Sequence, residues 1–167
     1  MFLGVLFLGF SVISVLKEEQ IVTQAREERT NENMTESVPT FPVQIKIADK
    51  IDAPVEAFAK KNDFWVLSPT HVVFWSESSL PGTPGNTVFY GHNNKKLLGK
   101  LHEVNVGETI SVTTANETVF EYTITKKVTT SPDKLEYIAP TESELLTIYT
   151  CTGFLDTKRL IIQAERI

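Results

Sequence analysis

From Phe41 onward, apolar and polar residues alternate in short runs, and no stretch sustains a helical period. Val43, Ile45 and Ile47 alternate with Gln44 and Lys46; Ile110 and Val112 alternate with Ser and Thr; Phe120, Tyr122 and Ile124 alternate with Glu121 and Thr123. A period of two puts one face of a strand on a core and the other in water. Thr87–Tyr90 is a short apolar run between Gly-rich turns, Ala115-Asn116-Glu117 supplies a hairpin turn, and Leu145–Cys151 and Arg159–Ala164 read as the last two apolar strands. Leu97–Leu101 predicts one or two helical turns, and Glu142–Glu144 the start of another. Six or more strands with few helices predict an all-β barrel or sandwich over residues 41–167.

The first forty residues differ. Residues 1–16, MFLGVLFLGFSVISVL, carry no charge and only Ser11 and Ser14 as polar residues. As a helix this run spans about 24 Å, against a hydrocarbon core of about 30 Å. No Lys or Arg precedes it, and no clear small-x-small cleavage site lies beside Lys17. Three readings stay open: a signal anchor whose true start lies upstream, an uncleaved short anchor, and a signal peptide. The first is preferred. Residues 17–40 then carry Lys17, Arg26 and Arg29 against Glu18, Glu19, Glu27, Glu28, Glu32 and Glu36, with few large apolar side chains. Such a segment buries too little to order itself. It reads as an acidic linker between a membrane segment and the β-rich domain over 41–167, which would place that domain outside the cytoplasmic membrane.

A net charge of −5 argues against a broad phosphate-binding surface and hence against a nucleic-acid partner. The single cysteine excludes an internal disulfide and any multi-cysteine metal site. Cys151 is therefore a small buried apolar residue or a reactive thiol. It closes the run Leu145 to Cys151, whose alternation puts Leu145, Thr147, Tyr149 and Cys151 on one face. Arg159 opens the next strand after a short loop, so the two face each other across a hairpin mouth. A guanidinium near a thiol favours the thiolate, although an arginine also caps strand ends without chemistry. His92 follows Tyr90-Gly91 at a strand end, where an imidazole can serve as proton donor to a leaving amine or simply occupy a turn. His71, in an apolar stretch, and His102, in an expected helical turn, are assigned structural or solvated roles.

In combination these segments are more specific. Leu-Thr-Ile-Tyr-Thr-Cys (146–151) resembles the sortase signature Thr-Leu-x-Thr-Cys, with Ile148 in place of Leu. Residues 80–93, LPGTPGNTVFYGHN, resemble the block leading to that family's histidine, and Lys158 to Ile162 resemble the last strand with its arginine. Residues 101–107, LHEVNVG, fit the short helix and turn after the histidine. The resemblance covers roughly residues 43–167. It implies a closed eight-stranded barrel of the sortase type with His92, Cys151 and Arg159 in one groove. It further implies a cysteine transpeptidase that needs no cofactor and no metal. Cys151 would attack the Thr–Gly bond of an LPxTG-like sorting signal, His92 would protonate the departing amine, and Arg159 would steady the substrate backbone and the oxyanion. The acyl group would pass to an amine acceptor such as a cell-wall precursor or a pilin lysine.

Some features depart from that pattern or leave it open. The loop from Cys151 to Arg159 is short, and no C-terminal apolar segment follows the last strand, unlike larger pilin-building sortases. The stretch 131–143 is expected to shape recognition of the signal. Glu103, Glu108, Glu136, Glu142 and Glu144 could converge on calcium, as in some sortases, but their spacing is not diagnostic. The alternatives are a membrane-tethered β-barrel cysteine peptidase acting as a hydrolase, and a non-catalytic binding domain. A chymotrypsin-like cysteine protease would show a Gly-x-Cys-Gly elbow where this chain has Thr150-Cys151-Thr152-Gly153, and a papain-like enzyme would place its Cys before its His.

Overall fold

Alternation decides the architecture strand by strand. The computed structural model describes residues 40–62 and 64–167; the apolar run 1–16 and nearly all of the acidic linker lie outside them. The strands are β1 (Pro42–Ile47), β2 (Ile51–Phe58), β3 (Val72–Trp75), β4 (Asn86–Gly91), β5 (Thr109–Thr114), β6 (Val119–Thr130), β7 (Leu145–Thr152) and β8 (Lys158–Arg166). They close into one barrel in the order β1-β2-β3-β4-β7-β8-β6-β5, with β5 returning to β1. Closure leaves no unpaired edge. The β2–β3 and β4–β7 pairs are parallel and the others antiparallel.

Inward-facing Ile45, Ile47, Val55, Phe74, Phe89, Ile110, Val112, Tyr122, Ile124, Leu146, Ile148 and Ile162 fill the barrel. Each aliphatic side chain so buried contributes about 1.5–3 kcal/mol. Residues 97–101 form turns that run into a 3₁₀ turn at Leu101–Glu103, and Leu97, Leu98 and Leu101 join the core. The expected hairpin turn stands between β5 and β6, with Glu117 at φ 65°. Before β4 the chain bends at Gly82 (φ 81°) and Gly85 (φ 116°), where a Cβ would strike the Phe120 ring and Ser79 Oγ respectively; only glycine fits both.

One expectation is corrected. Glu142–Glu144 does not begin a helix. Glu144 instead accepts hydrogen bonds from the Tyr122 hydroxyl (2.6 Å) and the Gly82 amide (2.8 Å), and β7 starts at Leu145. The five glutamates do not converge, and among the described residues no three His, Cys, Asp or Glu side chains gather as a metal site. Glu108 is held by Lys50 (2.5 Å) and the Asn105 amide (2.8 Å), well apart in purpose from Glu144. Among the described residues, no helix is long and apolar enough to cross a membrane.

Candidate active site

β7 sends Leu146 and Ile148 into the core and leaves Tyr149 and Cys151 half-buried on the outer face. Thr147, on that same outer row, is fully covered. Cys151 lies directly opposite Arg159 in the β7–β8 register, as the hairpin argument expects. Such opposed residues have Cα atoms about 4.5–5.5 Å apart. The parallel β4–β7 pair matches Tyr90 with Tyr149 and Gly91 with Thr150, so His92 leaves β4 at the level where Cys151 lies in β7. One buried bond locks this end: Thr150 Oγ1 donates to the Gly91 carbonyl at 2.8 Å. The His92 carbonyl accepts from the amides of Asn94 (2.9 Å) and Leu98 (3.2 Å), which fixes the backbone just beyond the strand. Asn94 does not orient the imidazole; its Oδ1 accepts from the Lys96 and Leu97 amides and shapes the turn.

A cavity of about 240 Å³ opens on this face, and both Cys151 and Arg159 line it. Gly91 also lines it, while the side chain of His92 is exposed at the strand end and is not part of the lining. The structure thus brings Cys151 and Arg159 together in one cavity and sets His92 beside it. His71 stands by Thr70 and Glu56, and His102 by the Gly99 carbonyl and Glu103; neither lines the cavity. Arg159 uses one nitrogen, Nη1, to donate to the carbonyls of Asp156 (2.9 Å) and Lys158 (3.0 Å). Its remaining donors have no protein partner among the described residues, so the fork can still take an oxygen. The loop it braces is strained, with Leu155 and Asp156 at φ 52° and 57°.

One wall comes from the stretch 131–143, and the other from residues that sequence reasoning did not single out. Trp65 and Leu67, between β2 and β3, form one side; Pro132, Leu135 and Ile138, between β6 and β7, form the other. Tyr90 and Tyr149 stack at 5.5 Å on the floor, and Trp65 meets them edge-on at 5.0 and 5.7 Å. Tyr90 donates its hydroxyl to the Val66 carbonyl at 2.8 Å, tying the Trp65 segment down. Burial pushes the Tyr90 phenol up to about 12. The opposite wall is held by the Tyr137 carbonyl, which accepts from Asn86 Nδ2 (2.9 Å), Thr147 Oγ1 (3.2 Å) and Gln163 Nε2 (3.4 Å). The available signal was the outward row of aromatic residues beside His92 and Cys151, together with the apolar run Phe64-Trp65-Val66-Leu67 in a loop that opens with Lys60, Lys61 and Asp63.

The sortase-domain profile matches residues 37–167, and the chain belongs to the sortase family. Its fold is similar to a Clostridium perfringens sortase D5 transpeptidase, at 22% identity and TM-score 0.65 over 84% of this chain and 88% of that one. It is also similar to Streptococcus pneumoniae sortase C (22%, TM-score 0.65, 81% and 72%) and to a lid mutant of Corynebacterium diphtheriae sortase A (22%, TM-score 0.63, 75% and 70%). No curated protein matches the sequence significantly. Sortases are transpeptidases, and that is the coarse function of this chain.

Proposed function

We propose that the chain cleaves an LPxTG-like sorting signal between Thr and Gly through a thioester on Cys151. The observation that carries this reading is the cross-strand pairing of Cys151 with Arg159 in one cavity, with His92 at the matching end of β4. The Cys151 thiolate adds to the threonine carbonyl carbon. Arg159 holds the oxygen on which negative charge develops. As the C–N bond breaks, His92 gives its proton to the glycine nitrogen. An acceptor amine then adds to the thioester carbonyl, returns a proton to His92, and displaces Cys151 as the thiolate. Attack needs a thiolate while departure needs an imidazolium, so kcat/KM is expected to be bell-shaped in pH. The apolar walls suit the Leu-Pro part of the signal. The charge-free run 1–16 and the acidic residues 17–40 support a domain anchored by its N-terminus outside the cytoplasmic membrane; cell fractionation that finds the full chain in the cytoplasm refutes this.

The deciding experiment is mass spectrometry of products from LPxTG-like peptides with and without candidate amines. A thioester adduct on Cys151 and an amine-dependent ligation product are expected. Free acid alone, whatever amine is added, identifies a hydrolase. No adduct and no cleavage across the library refutes the reading and leaves a binding domain.

A further inference from the structure

The segment that carries the Trp65 wall is a tight turn. Lys61 and Phe64 exchange backbone hydrogen bonds of 3.0 Å in both directions, an isolated antiparallel bridge. Lys60 and Trp65 flank that bridge, so they are the next opposed pair along it. The Lys60 ammonium accordingly lies over the Trp65 ring, 4.4 Å from its centroid. It also lies 5.1 Å from the ring centroid of Trp75, the last residue of β3. The two indoles meet edge-on at 5.2 Å. One carboxylate oxygen ties the cluster together: Glu77 Oε2 accepts from the Trp75 indole at 2.8 Å and from the Lys60 amide at 3.4 Å.

On its other side, Trp65 meets Tyr90 and Tyr149 edge-on and lines the cavity with Cys151 and Arg159. Lys60 and Trp75 do not line the cavity; they stand behind the wall. The plane of the Trp65 indole is thus set by two phenols on the cavity side and by a cation and a second indole behind. Indole is the best of the aromatic partners for a cation. Lysine keeps its charge at neutral pH, so the contact persists under working conditions.

We infer that Lys60 is a positioning residue for the substrate: its ammonium holds the Trp65 indole as the wall against which the apolar part of the sorting peptide packs. The inference rests on the proposed peptide substrate and adds a residue that acts on it only through Trp65. An indole free to turn would leave the cavity open on that side and withdraw apolar contact area from the bound peptide. The Leu-Pro part of the signal is held before and during the reaction alike, so a loosened wall weakens binding and leaves the chemical step as it was.

Lys60→Met keeps the aliphatic stem and removes the charge, whereas Lys60→Arg keeps a cation that stacks on indole. In steady-state cleavage of an LPxTG-like peptide, Lys60→Met should raise KM about 2- to 5-fold, the share of an exposed cation–π pair, with kcat nearly unchanged. Lys60→Arg should keep the parent KM. Binding of the same peptide to the Cys151→Ala protein should weaken by the same factor when Lys60→Met is added. In a Trp65→Ala background, Lys60→Met should change KM no further. The chain has two tryptophans, Trp65 and Trp75, so its indole fluorescence reports on this cluster alone, and acrylamide should quench Lys60→Met more strongly than the parent. An unchanged KM and peptide affinity in Lys60→Met overturn the inference, and stronger quenching beside them would show a lysine that serves the fold alone. An equal rise of KM in the Trp65→Ala background also overturns it, by assigning the effect to another contact. Should Trp65→Ala fail to fold, equal KM for the Met and Arg variants overturns it instead. If the parent enzyme cleaves no sorting peptide, the substrate reading itself fails and this role with it; if the parent cleaves and Lys60→Met matches it, only the role of Lys60 fails.

Discussion

Thr150→Val tests whether the seam between β4 and β7 sets the working relation of His92 to Cys151. Thr150 is buried, and its hydroxyl donates to the Gly91 carbonyl at 2.8 Å, one residue before each of the two groups. Valine keeps the shape and deletes the bond. A buried hydrogen bond contributes about 0.5–1.5 kcal/mol net, and a carbonyl left short of a donor raises the cost toward about 2 kcal/mol. For a domain of this size, about 1 kcal/mol lowers the melting temperature by roughly 4 °C, so a fall of about 4–8 °C is expected. Thr150→Ser is the control. It loses one buried methyl, about 0.8 kcal/mol, but keeps the donor. The two variants should thus melt within a few degrees of each other and differ in activity. Loosening the His92 end of β4 should cost Thr150→Val roughly tenfold in kcat/KM, if about 1.4 kcal/mol of the bond is expressed in the transition state. Thermal melts and peptide cleavage on the same preparations check both numbers. Equal kcat/KM for the Val and Ser variants would show that this bond stabilises the barrel without positioning the site.

Cys151→Ala should abolish cleavage and thioester formation while the protein still melts cooperatively, and with no second cysteine in the chain any residual turnover would identify another nucleophile. Arg159→Lys keeps the charge but loses the planar fork, and should lower kcat/KM by on the order of 100-fold, the loss typical of one oxyanion donor; near-parent activity would remove Arg159 from the reaction. His92→Ala should nearly eliminate peptide turnover yet leave Cys151 slowly reactive toward an electrophile that needs no leaving-group proton, which intact-mass labelling reads directly. Acid stability follows from Glu108, which the Lys50 ammonium and the Asn105 amide hold below the usual carboxylate value. A lowered folded-state pKa gives stability that is present above about 4.5 and is lost as pH falls through the lower folded value. Melting temperature should therefore drop below about pH 4.5, and Lys50→Met should flatten that acid limb; an unaltered limb would assign the loss to other carboxylates, such as Glu77 or Asp133.

The candidate site was legible because its three residues sit where period-two strands end. Cys151 and Arg159 needed only a hairpin to meet, whereas His92, which the resemblance implies in the same groove, stands beside the cavity without lining it. β2 and β3 were not read as strands. In β2, Pro54 and Glu56 interrupt the composition of a strand, yet Ile51, Ala53 and Val55 still alternate inward. Pro54 is tolerated because pairing with β3 begins only at Val55, so that side of the strand is unpaired there. The four residues of β3 are too few to show a period, and its parallel pairing with β2 spans a long loop that local sequence does not encode. The false helix start at Glu142–Glu144 came from treating Glu144 as a helix former when its carboxylate serves a tyrosine and a glycine far along the chain. Alternation already set Tyr149 on the face of Cys151, but Trp65 was missed as a cavity wall, because its position follows from barrel closure, which no local pattern reports.

The wall between β6 and β7 is fastened by a main-chain atom, the Tyr137 carbonyl, to side chains of β4, β7 and β8. Those fasteners, Asn86, Thr147 and Gln163, belong to the strands and not to the wall. The wall's own side chains, including Lys134, Leu135 and Ile138, can therefore be exchanged without releasing its attachment. Holding the backbone of a recognition segment while its side chains drift lets one scaffold sample new peptide preferences at little risk to its catalytic floor. For an engineer, residues 134–138 are the segment to randomise when retargeting this enzyme, with Asn86, Thr147 and Gln163 kept constant.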